Sequence, residues 1–528
     1  MLTITRLKAL TLICCVLGII TPRAVAGVPF AISLQTRMIE RHVHLAPPGA
    51  NDSRYAYVTF EVPPHAVRVS VSYQYERADG ANTIDIGLFD ARSTGSDTDP
   101  RGFRGWSGGR RSEFSISRNE ATPGYLPGEL PAGTWRIILG LYKVAPAGVD
   151  VSFKIGIETE ENRAAAITPA PHKTELSPAG ATPVTATGNS ARRTSSQVQK
   201  VGARKLRWWR GDLHMHTVHS DGNWTVAELI SAARVAGLDF ISVTDHNTAS
   251  HHAEVDRART GSQQLPLVLR GEEITTYGGH TNAWGLPSGK WIDFRVRAGD
   301  SARMSNVAAE ARQSGAVISI NHPFVLCGGC SWSYEAAARD FDAIEVWNGP
   351  WDFTDESALT MWDKILQSGR RVTAIASSDS HRPDTPIGKP ATHVAAKVLS
   401  QIALLKAIRQ GHAYLTDGAA RFVVSFEAEE VATGKRRSRG MIGDEIRLRA
   451  PGKIRFFITT EAAPPDATIS VMSNGQAIHS LPAKSDGQPH VIEIECQRDS
   501  YYRLEVRNKT KMMLALTNPI FAKVGKVR

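Results

Sequence analysis

Gly211-Asp212-Leu213-His214-Met215-His216 leads into Ser220-Asp221-Gly222. Apolar and polar residues alternate up to this stretch, which predicts a strand. On a strand, residues i and i+2 share a face. His214 and His216 would therefore project together, and two imidazoles so placed can grip one metal ion. A His-x-His by itself is weak: His42 and His44 form another, with nothing around them to suggest more than strand residues. The second pair differs because acids and imidazoles recur at the ends of later apolar runs. Asp245-His246-Asn247 closes the run from 240, Gly271-Glu272-Glu273 follows 267–269, and Gly279-His280 precedes 281–286. Asn321-His322-Pro323 follows 316–320, and Ser378-Asp379-Ser380-His381 follows 372–376. Imidazole and carboxylate are ligands of zinc, iron and manganese. One ion needs about four ligands. His214, His216, Asp221, His246, Glu273, His280, His322, Asp379 and His381 offer more than that. The excess predicts two to three divalent ions (Zn, Mn or Fe), with Glu273 suited to bridge two of them.

The elements that must position this set lie between residues 206 and 418. Strand-like runs at 240–244, 267–269, 281–286, 316–320, 343–346, 372–376 and 394–399 alternate with helical ones at 225–236, 302–314, 357–367 and 400–409. Thr225-x-x-Glu228 is a capping box and Gly237 a stop for the first helix. Alternating β and α predicts a mostly parallel sheet with its site at the carboxyl ends of strands. On either side the texture is all-β. Residues 27–160 hold strand-like runs split by Pro and Gly, which predicts a sandwich. Trp106 sits in a Gly/Arg-rich stretch, 101–111, expected as a loop that packs its Trp onto that sandwich rather than as a ligand-binding edge. Residues 161–205, rich in Ala, Pro, Thr and Ser, read as a linker. Residues 419–528 return to β, with Asn474-Gly475 as a hairpin turn, and read as a second sandwich without chemistry of its own.

A chain of 528 residues exceeds one ordinary core. Residues 1–26 read as a signal peptide: Arg6 and Lys8 first, then an apolar run, then Ala24-Val25-Ala26 for cleavage. The expectation is export, to a bacterial periplasm, with no membrane span after processing. Losing Arg6, Lys8 and Arg23 would lower the net charge from +10 to +7. That charge favours acidic partners, but no Lys/Arg stripe marks a nucleic-acid binder. Oligomeric state is not readable. Cys327 and Cys330 form a close pair with three readings: a disulfide, which export favours, an added thiolate ligand, or two free thiols. Cys496, in an apolar-alternating run, reads as a buried inert thiol.

The motifs Asp212-Leu213-His214-Met215-His216 with Ser220-Asp221-Gly222, Thr244-Asp245-His246-Asn247, Gly271-x-Glu273-Ile274, Gly279-His280, Asn321-His322-Pro323 and Asp379-Ser380-His381 resemble those of the PHP (polymerase and histidinol phosphatase) metallohydrolases. The resemblance covers roughly residues 208–415. Within that superfamily the chain looks most like the exported branch named for carbaryl hydrolase (CehA/McbA). Its flanks are similar too, at Gly102-Phe103-Arg104-Gly105-Trp106 and Thr517-Asn518-Pro519. The resemblance implies a multidomain α/β plus all-β protein: a distorted (β/α)7 PHP barrel, with up to three divalent ions at one mouth, between N-terminal and C-terminal β-sandwich domains. Carried over by position, His214, His216, Glu273 and Asp379 would hold the first ion. Asp221, His246 and His381 would hold the second, and Glu273, His280 and His322 the third. His219 competes with Asp221, and Glu272 neighbours Glu273, though the Gly-x-Glu-Ile spacing favours Glu273.

Ions so held would lower the pKa of a bound water, hold the resulting hydroxide and polarise the bond to be cut. No serine or cysteine nucleophile is needed. Asp221, Glu273, His322 and Asp379 are the residues expected at the reacting centre. Asp212 and Asp245 would orient histidines from behind. His251 and His252 would contact substrate, donate a proton, or simply lie on a solvated surface. Trp347 and Trp351 would line the pocket or pack, and Arg382 and Lys389 would meet an anion if one is bound. The expectation is a phosphoesterase acting on a small-molecule or polymer-attached ester. The alternative is a carbamate, carboxylic ester or amide hydrolase. A polymer-binding protein with a relic barrel is the reading from a different class.

Overall fold

The computed structural model describes residues 34–49, 52–160, 198–201, 204–260, 266–419, 422–431 and 438–525. The expected signal peptide and residues 161–197 of the expected linker lie outside them. The first eight strands are β1 (Leu34–Leu45), β2 (Tyr55–Val62), β3 (Ala66–Tyr75), β4 (Thr83–Phe89), β5 (Phe103–Gly108), β6 (Glu113–Ser117), β7 (Gly133–Lys143) and β8 (Val149–Glu160). They form two antiparallel sheets of order β1-β8-β3-β6 and β2-β7-β4-β5 over one apolar core. Period-2 alternation builds that core. Val69, Val71 and Tyr73 of β3 and Val151, Phe153, Ile155 and Ile157 of β8 meet Phe60, Ile84, Ile86 and Trp135 from the other sheet. Each such side chain contributes about 1.5–3 kcal/mol by leaving water.

The stretch 101–111, expected as a loop, contains β5 instead. Its glycines hide a strand from propensity, and Gly105 (φ 133°) passes so close to Tyr125 that a Cβ would not fit. Trp106 packs over Gly87 and Gly140 of its own sheet, on the face away from the sandwich core: its ring lies 4.8 Å from Phe294, and Phe103 stacks on Trp291 at 3.8 Å.

The middle of the chain adds β9 (Val198–Val201), β10 (Arg204–Asp212), β11 (Phe240–Val243), β12 (Leu267–Thr276), β13 (Gly279–Trp284), β14 (Val317–Ile320), β15 (Ala343–Asn348), β16 (Thr373–Ser377), β17 (Ala391–Ala396) and β18 (Ala413–Thr416). Helices are few. Five α-helices occur among the described residues: α1 (Val226–Val235), α2 (His252–Thr260), α3 (Ser301–Gln313), α4 (Phe353–Gln367) and α5 (Gln401–Arg409). The Thr225–Glu228 capping box starts α1 as expected, and Asp352, Asp300 and Ser400 cap α4, α3 and α5.

The expected (β/α)7 barrel is not what the ladder shows. The strand order is β16-β15-β14-β13-β12-β11-β10-β17-β18. β10–β12 and β14–β16 run parallel, but β13 joins β12 directly as a hairpin and lies antiparallel to both neighbours. A hairpin leaves no room for a crossover helix. No ladder joins β16 to β17. The hydroxyl of Thr392 accepts from Ala376 N (2.9 Å) and donates to Ala376 O (2.7 Å), so side chains satisfy that edge. The Asn518 side chain does the same for Ala374, accepting from its N at 2.8 Å and donating to its O at 2.9 Å.

The last strands are β19 (Val423–Val431), β20 (Arg439–Met441), β21 (Glu445–Leu448), β22 (Gly452–Glu461), β23 (Thr468–Ser473), β24 (Gln476–Pro482), β25 (His490–Cys496), β26 (Ser500–Arg507), β27 (Met513–Thr517) and β28 (Ile520–Val524). One sheet runs β20-β19-β22-β25. The other is the central sheet continued through β18-β27-β26-β23-β24. Asn474 (φ 49°) and Gly475 (φ 81°) make the tight turn between β23 and β24.

Candidate metal centre

β10 ends at Asp212, and the chain stays extended through His214 and His216, so their side chains keep to one side while Leu213 and Met215 enter the core. The chain then turns back. Gly222 passes so close that a Cβ there would sit 2.5 Å from the carbonyl carbon of His216, and this returns Asp221 toward the two rings. His246 follows β11, Glu273 lies within β12, His280 within β13, His322 just after β14, and Asp379 and His381 just after β16. Six strands, or the segments just after them, thus deliver imidazole and carboxylate to one place.

All nine sequence-predicted ligands meet there. Glu273 sits at the centre: its Oε1 lies 3.3 Å from His214 Nε2, 3.3 Å from His280 Nδ1 and 3.2 Å from His322 Nε2. Its Oε2 lies 2.8 Å from His246 Nδ1 and 3.5 Å from His216 Nε2. Asp379 Oδ1 is 3.1 Å from His216 Nε2 and 3.4 Å from His214 Nε2. Asp221 Oδ1 is 3.3 Å from His381 Nε2 and 3.5 Å from His246 Nε2. Among the described residues, four groups at the cluster have metal-binding spacing: His214, His216 and Asp379; His216, Asp221, His246 and His381; Glu273, His280 and His322; and His214, His322 and Glu345. The carried-over assignment differs in two respects: His216 also reaches the Asp221 group, and Glu273 groups with His280 and His322 rather than with His214, His216 and Asp379.

Whether these residues suit metal ions is tested by their unsatisfied atoms. His214 Nε2, His216 Nε2, His280 Nδ1, His322 Nδ1, Glu273 Oε2 and Asp379 Oδ1 are buried without a hydrogen-bond partner. A buried polar atom without a partner costs about 1–3 kcal/mol. Five of these six belong to atoms that face one another across the distances above, and divalent ions would satisfy them. The electrostatics agree. Burial pulls His214 down, but Asp379, Glu273 and Glu345 outweigh it and hold the imidazole well above its ordinary value. Burial pushes Glu273 and Asp379 up, but the imidazoles outweigh it and hold both carboxylates well below theirs. Burial, with His381 and His246 beside it, lowers His216 to about 4. Backbone strain occurs here too, at His322 (φ 22°), Asp379 (φ 51°) and Asn247 (φ 52°).

Sequence reasoning missed the residue behind the cluster. Glu345 of β15 accepts from His214 Nδ1 at 3.2 Å, from His322 N at 3.0 Å and from Asn348 Nδ2 at 3.0 Å. This fixes the His214 ring with Nε2 toward the ligand side. The signal was one charged residue in the otherwise apolar Ala343-Ile344-Glu345-Val346. Asn321 likewise donates to Glu273 Oε1 at 3.0 Å.

Other expectations change. Asp212 does not orient a ring. It accepts from Ser378 N (3.1 Å) and Gly388 N (2.7 Å), pinning the Asp379 turn to β10. Asp245 holds the turn after His216 through Thr217 N (2.7 Å) and Ser220 Oγ (2.6 Å) and faces His251 Nδ1 at 3.2 Å. His251 and His252 are neither solvated nor at the mouth. Both are buried with Nε2 on Gly271 O, and burial lowers them to about 4 and about 3. His219 turns away from Asp221 to Ser250 Oγ (2.8 Å) and Glu254 (3.2 Å). Glu272 points to the opposite face of β12, where its Oε2 accepts from Ile292 N at 2.7 Å. Trp347 and Trp351 are buried edge to face, 5.1 Å apart. Arg382 and Lys389 are exposed. Cys327 and Cys330 form a disulfide, and Cys496 is buried.

The N-terminal sheets close around this mouth. Tyr277, at the β12–β13 turn, donates to Asp85 Oδ2 at 2.6 Å. Arg111 donates to Val218 O at 2.6 Å. Arg110 donates to Asn223 Oδ1 at 2.6 Å, and Asn223 N donates to His381 O at 2.7 Å. A cleft lined by Arg371, Thr373, Arg409, His412, Asp444 and Phe521 lies at the starts of β16 and β18, the opposite strand ends, and contains none of the cluster.

No family model and no curated protein matches the chain. Among solved structures, it is similar to a two-domain protein of Bacteroides vulgatus containing a predicted PHP-like metal-dependent phosphoesterase, at 20% identity over 63% of this chain and 100% of that one, with a TM-score of 0.37. It is also similar to an amidohydrolase of Chromobacterium violaceum, at 16% identity over 40% of this chain and 98% of that one, with a TM-score of 0.27.

Proposed function

We propose that the protein is a divalent-metal-dependent hydrolase of the PHP class, exported, and that it cleaves phosphoesters. The observation that carries this reading is the convergence of buried nitrogen and oxygen atoms without partners on neighbouring ligand groups, two of which share His216, with Glu273 within 3.5 Å of His214 and His216. Divalent ions held there would acidify water and polarise the oxygen of the bond to be cut. The chain's own residues do the rest. Glu345 sets the tautomer of His214 and the place of His322. Asp379 O accepts from His381 Nδ1 at 2.8 Å and so turns His381 Nε2 inward. Buried Leu213, Met215, Ile320 and Ala376 behind the cluster exclude water, which strengthens each charge interaction in front of them.

The phosphoester preference rests on charge. Several ions suit a transition state whose charge spreads over phosphoryl oxygens, and the cationic Arg110 stands at the rim beside the His381 turn. The substrate would be a small or polymer-attached ester, anionic in character. One observation favours carbamate, ester or amide cleavage of the CehA/McbA type instead. Phe324 and Leu326, two and four residues past His322, are 38% and 79% exposed and would meet an apolar acyl or aryl group. The experiment sets an aryl phosphodiester beside an aryl carbamate, with protein reconstituted with manganese or zinc and Asp379→Asn as control. Metal-dependent release from the diester supports the leading reading. Release from the carbamate alone replaces it, and no metal-dependent release from either removes the hydrolase reading.

A further inference from the structure

The loop after His322 carries chemistry that the cluster does not use. Cys327 and Cys330 are joined with their Cα atoms 5.2 Å apart. Cys327 is exposed, whereas Cys330 is 6% exposed. Their sulfurs and a ring nitrogen of His280 all lie within 4.8 Å of one another. The loop is anchored around the disulfide. Gly328 N donates to Tyr142 Oη at 2.9 Å, Trp332 N to Pro323 O at 2.9 Å and Ser333 N to Gly278 O at 2.8 Å. The last bond ties it to the β12–β13 turn that carries His280.

We propose that reduction of this disulfide opens an additional metal site, in which the thiolates of Cys327 and Cys330 and the imidazole of His280 hold one zinc-like ion beside the cluster. Cys-x-x-Cys is the spacing by which two thiolates grip zinc, and His is its usual companion. Sulfur ligands select zinc over magnesium or manganese. Three protein ligands leave the fourth position open. The reductant is a small thiol. Its thiolate attacks the exposed Cys327 sulfur, the S–S bond breaks, and Cys330 leaves as the thiolate next to His280. A second thiol then displaces Cys327 and departs with the first as their disulfide, so two electrons enter the protein and two thiols are oxidised. Binding of the ion releases the remaining thiol protons. His280 also belongs to the group with Glu273 and His322. Filling the thiolate site therefore draws on a ligand of that group, and redox state would set how the cluster is occupied. The proposal does not depend on what the cluster hydrolyses.

The test uses the full chain loaded with cobalt(II), once oxidised and once reduced with a phosphine that is then removed. Sulfur-to-cobalt charge transfer absorbs in the near ultraviolet, and nitrogen and oxygen ligands do not produce that band. Reduced protein is expected to gain the band and one further cobalt per chain. Oxidised protein, the same polypeptide without any substitution, is expected to show neither, as is the reduced Cys327→Ser/Cys330→Ser variant, which keeps Cys496. Absence of the band in reduced wild-type protein, or an equal cobalt gain in the double variant, would overturn the site. In reduced protein His280→Gln is expected to move the cobalt titration of the band to higher concentration, and an unchanged midpoint removes His280 from it.

Discussion

His42-x-His44 and His214-x-His216 have the same spacing and opposite fates. The first pair lies on a regular strand, β1, at the edge of its sheet. His42 turns to Ser152 Oγ at 3.0 Å and His44 to Asp150 at 2.8 Å, all at the surface. The second pair lies just past the end of β10 and is fully buried among Glu273, Asp379 and Asp221. Spacing supplies a shared face in both places. Function is decided by what the face meets: the first pair has one surface partner each and solvent besides, while the second points ring nitrogens at several buried carboxylates and has no water to fall back on. A strand end surrounded by other strand ends creates that condition, and an edge strand does not.

The sharpest way to break the comparison is to disarm the buried side. Asp379→Asn with His381→Ala is expected to abolish metal uptake and reduce hydrolysis to background, whereas His42→Ala with His44→Ala changes neither; metal per chain and ester release measure both. If the first variant keeps its metal, the cluster is wrongly assigned. Next in size is Glu345→Gln, which leaves every ligand in place and frees the His214 ring. Chelator competition should show metal affinity weakened roughly 10–100-fold. Arg110→Ala probes the rim. Loss of one charge-assisted contact of about 1.5 kcal/mol predicts KM for an anionic diester raised roughly 10-fold, with kcat and the neutral carbamate unaffected. The smallest effect sets a half-buried acid of the N-terminal half against those of the cluster. Burial raises Asp85 to about 6, against the opposing pull of the Tyr277 hydrogen bond. Its folded pKa lies above its unfolded one, so its contribution to stability is complete below about pH 4 and is lost as pH rises through 6. The wild-type melting temperature minus that of Asp85→Asn should fall across that window, and a flat difference would show that Asp85 does not titrate there.

The ligands were legible because most stand at or beside the end of an apolar run, where a titratable residue has no packing reason to be. Local signals also located α1, through its capping box, and the β23–β24 turn. What could not be read depends on partners far away in sequence. Glu345 looks like an interruption of β15 until His214 lies against it. His251 and His252 look polar, but they form part of α2 and its start, closed over by β12. β5 is concealed by glycines whose need shows only once Tyr125 is in place. The antiparallel β13 and the edge of β16, finished by Thr392 and Asn518, break the barrel expectation, since alternation of element types does not encode strand direction or closure.

The Asn518 contact also bears on the order in which the molecule can be made. Its amide is bonded to both backbone groups of Ala374 and to Ala413 O, all buried, and Ala374 lies in β16, the strand that leads into Asp379. During synthesis every ligand of the cluster leaves the ribosome long before residue 518. Until then β16 has buried polar groups without their partner, so the metal-facing turn is held loosely while the chain is still growing. The mouth can take its final shape only after the C-terminal strands have emerged. A nascent chain stalled short of Asn518 should therefore retain metal poorly even though it already contains every ligand.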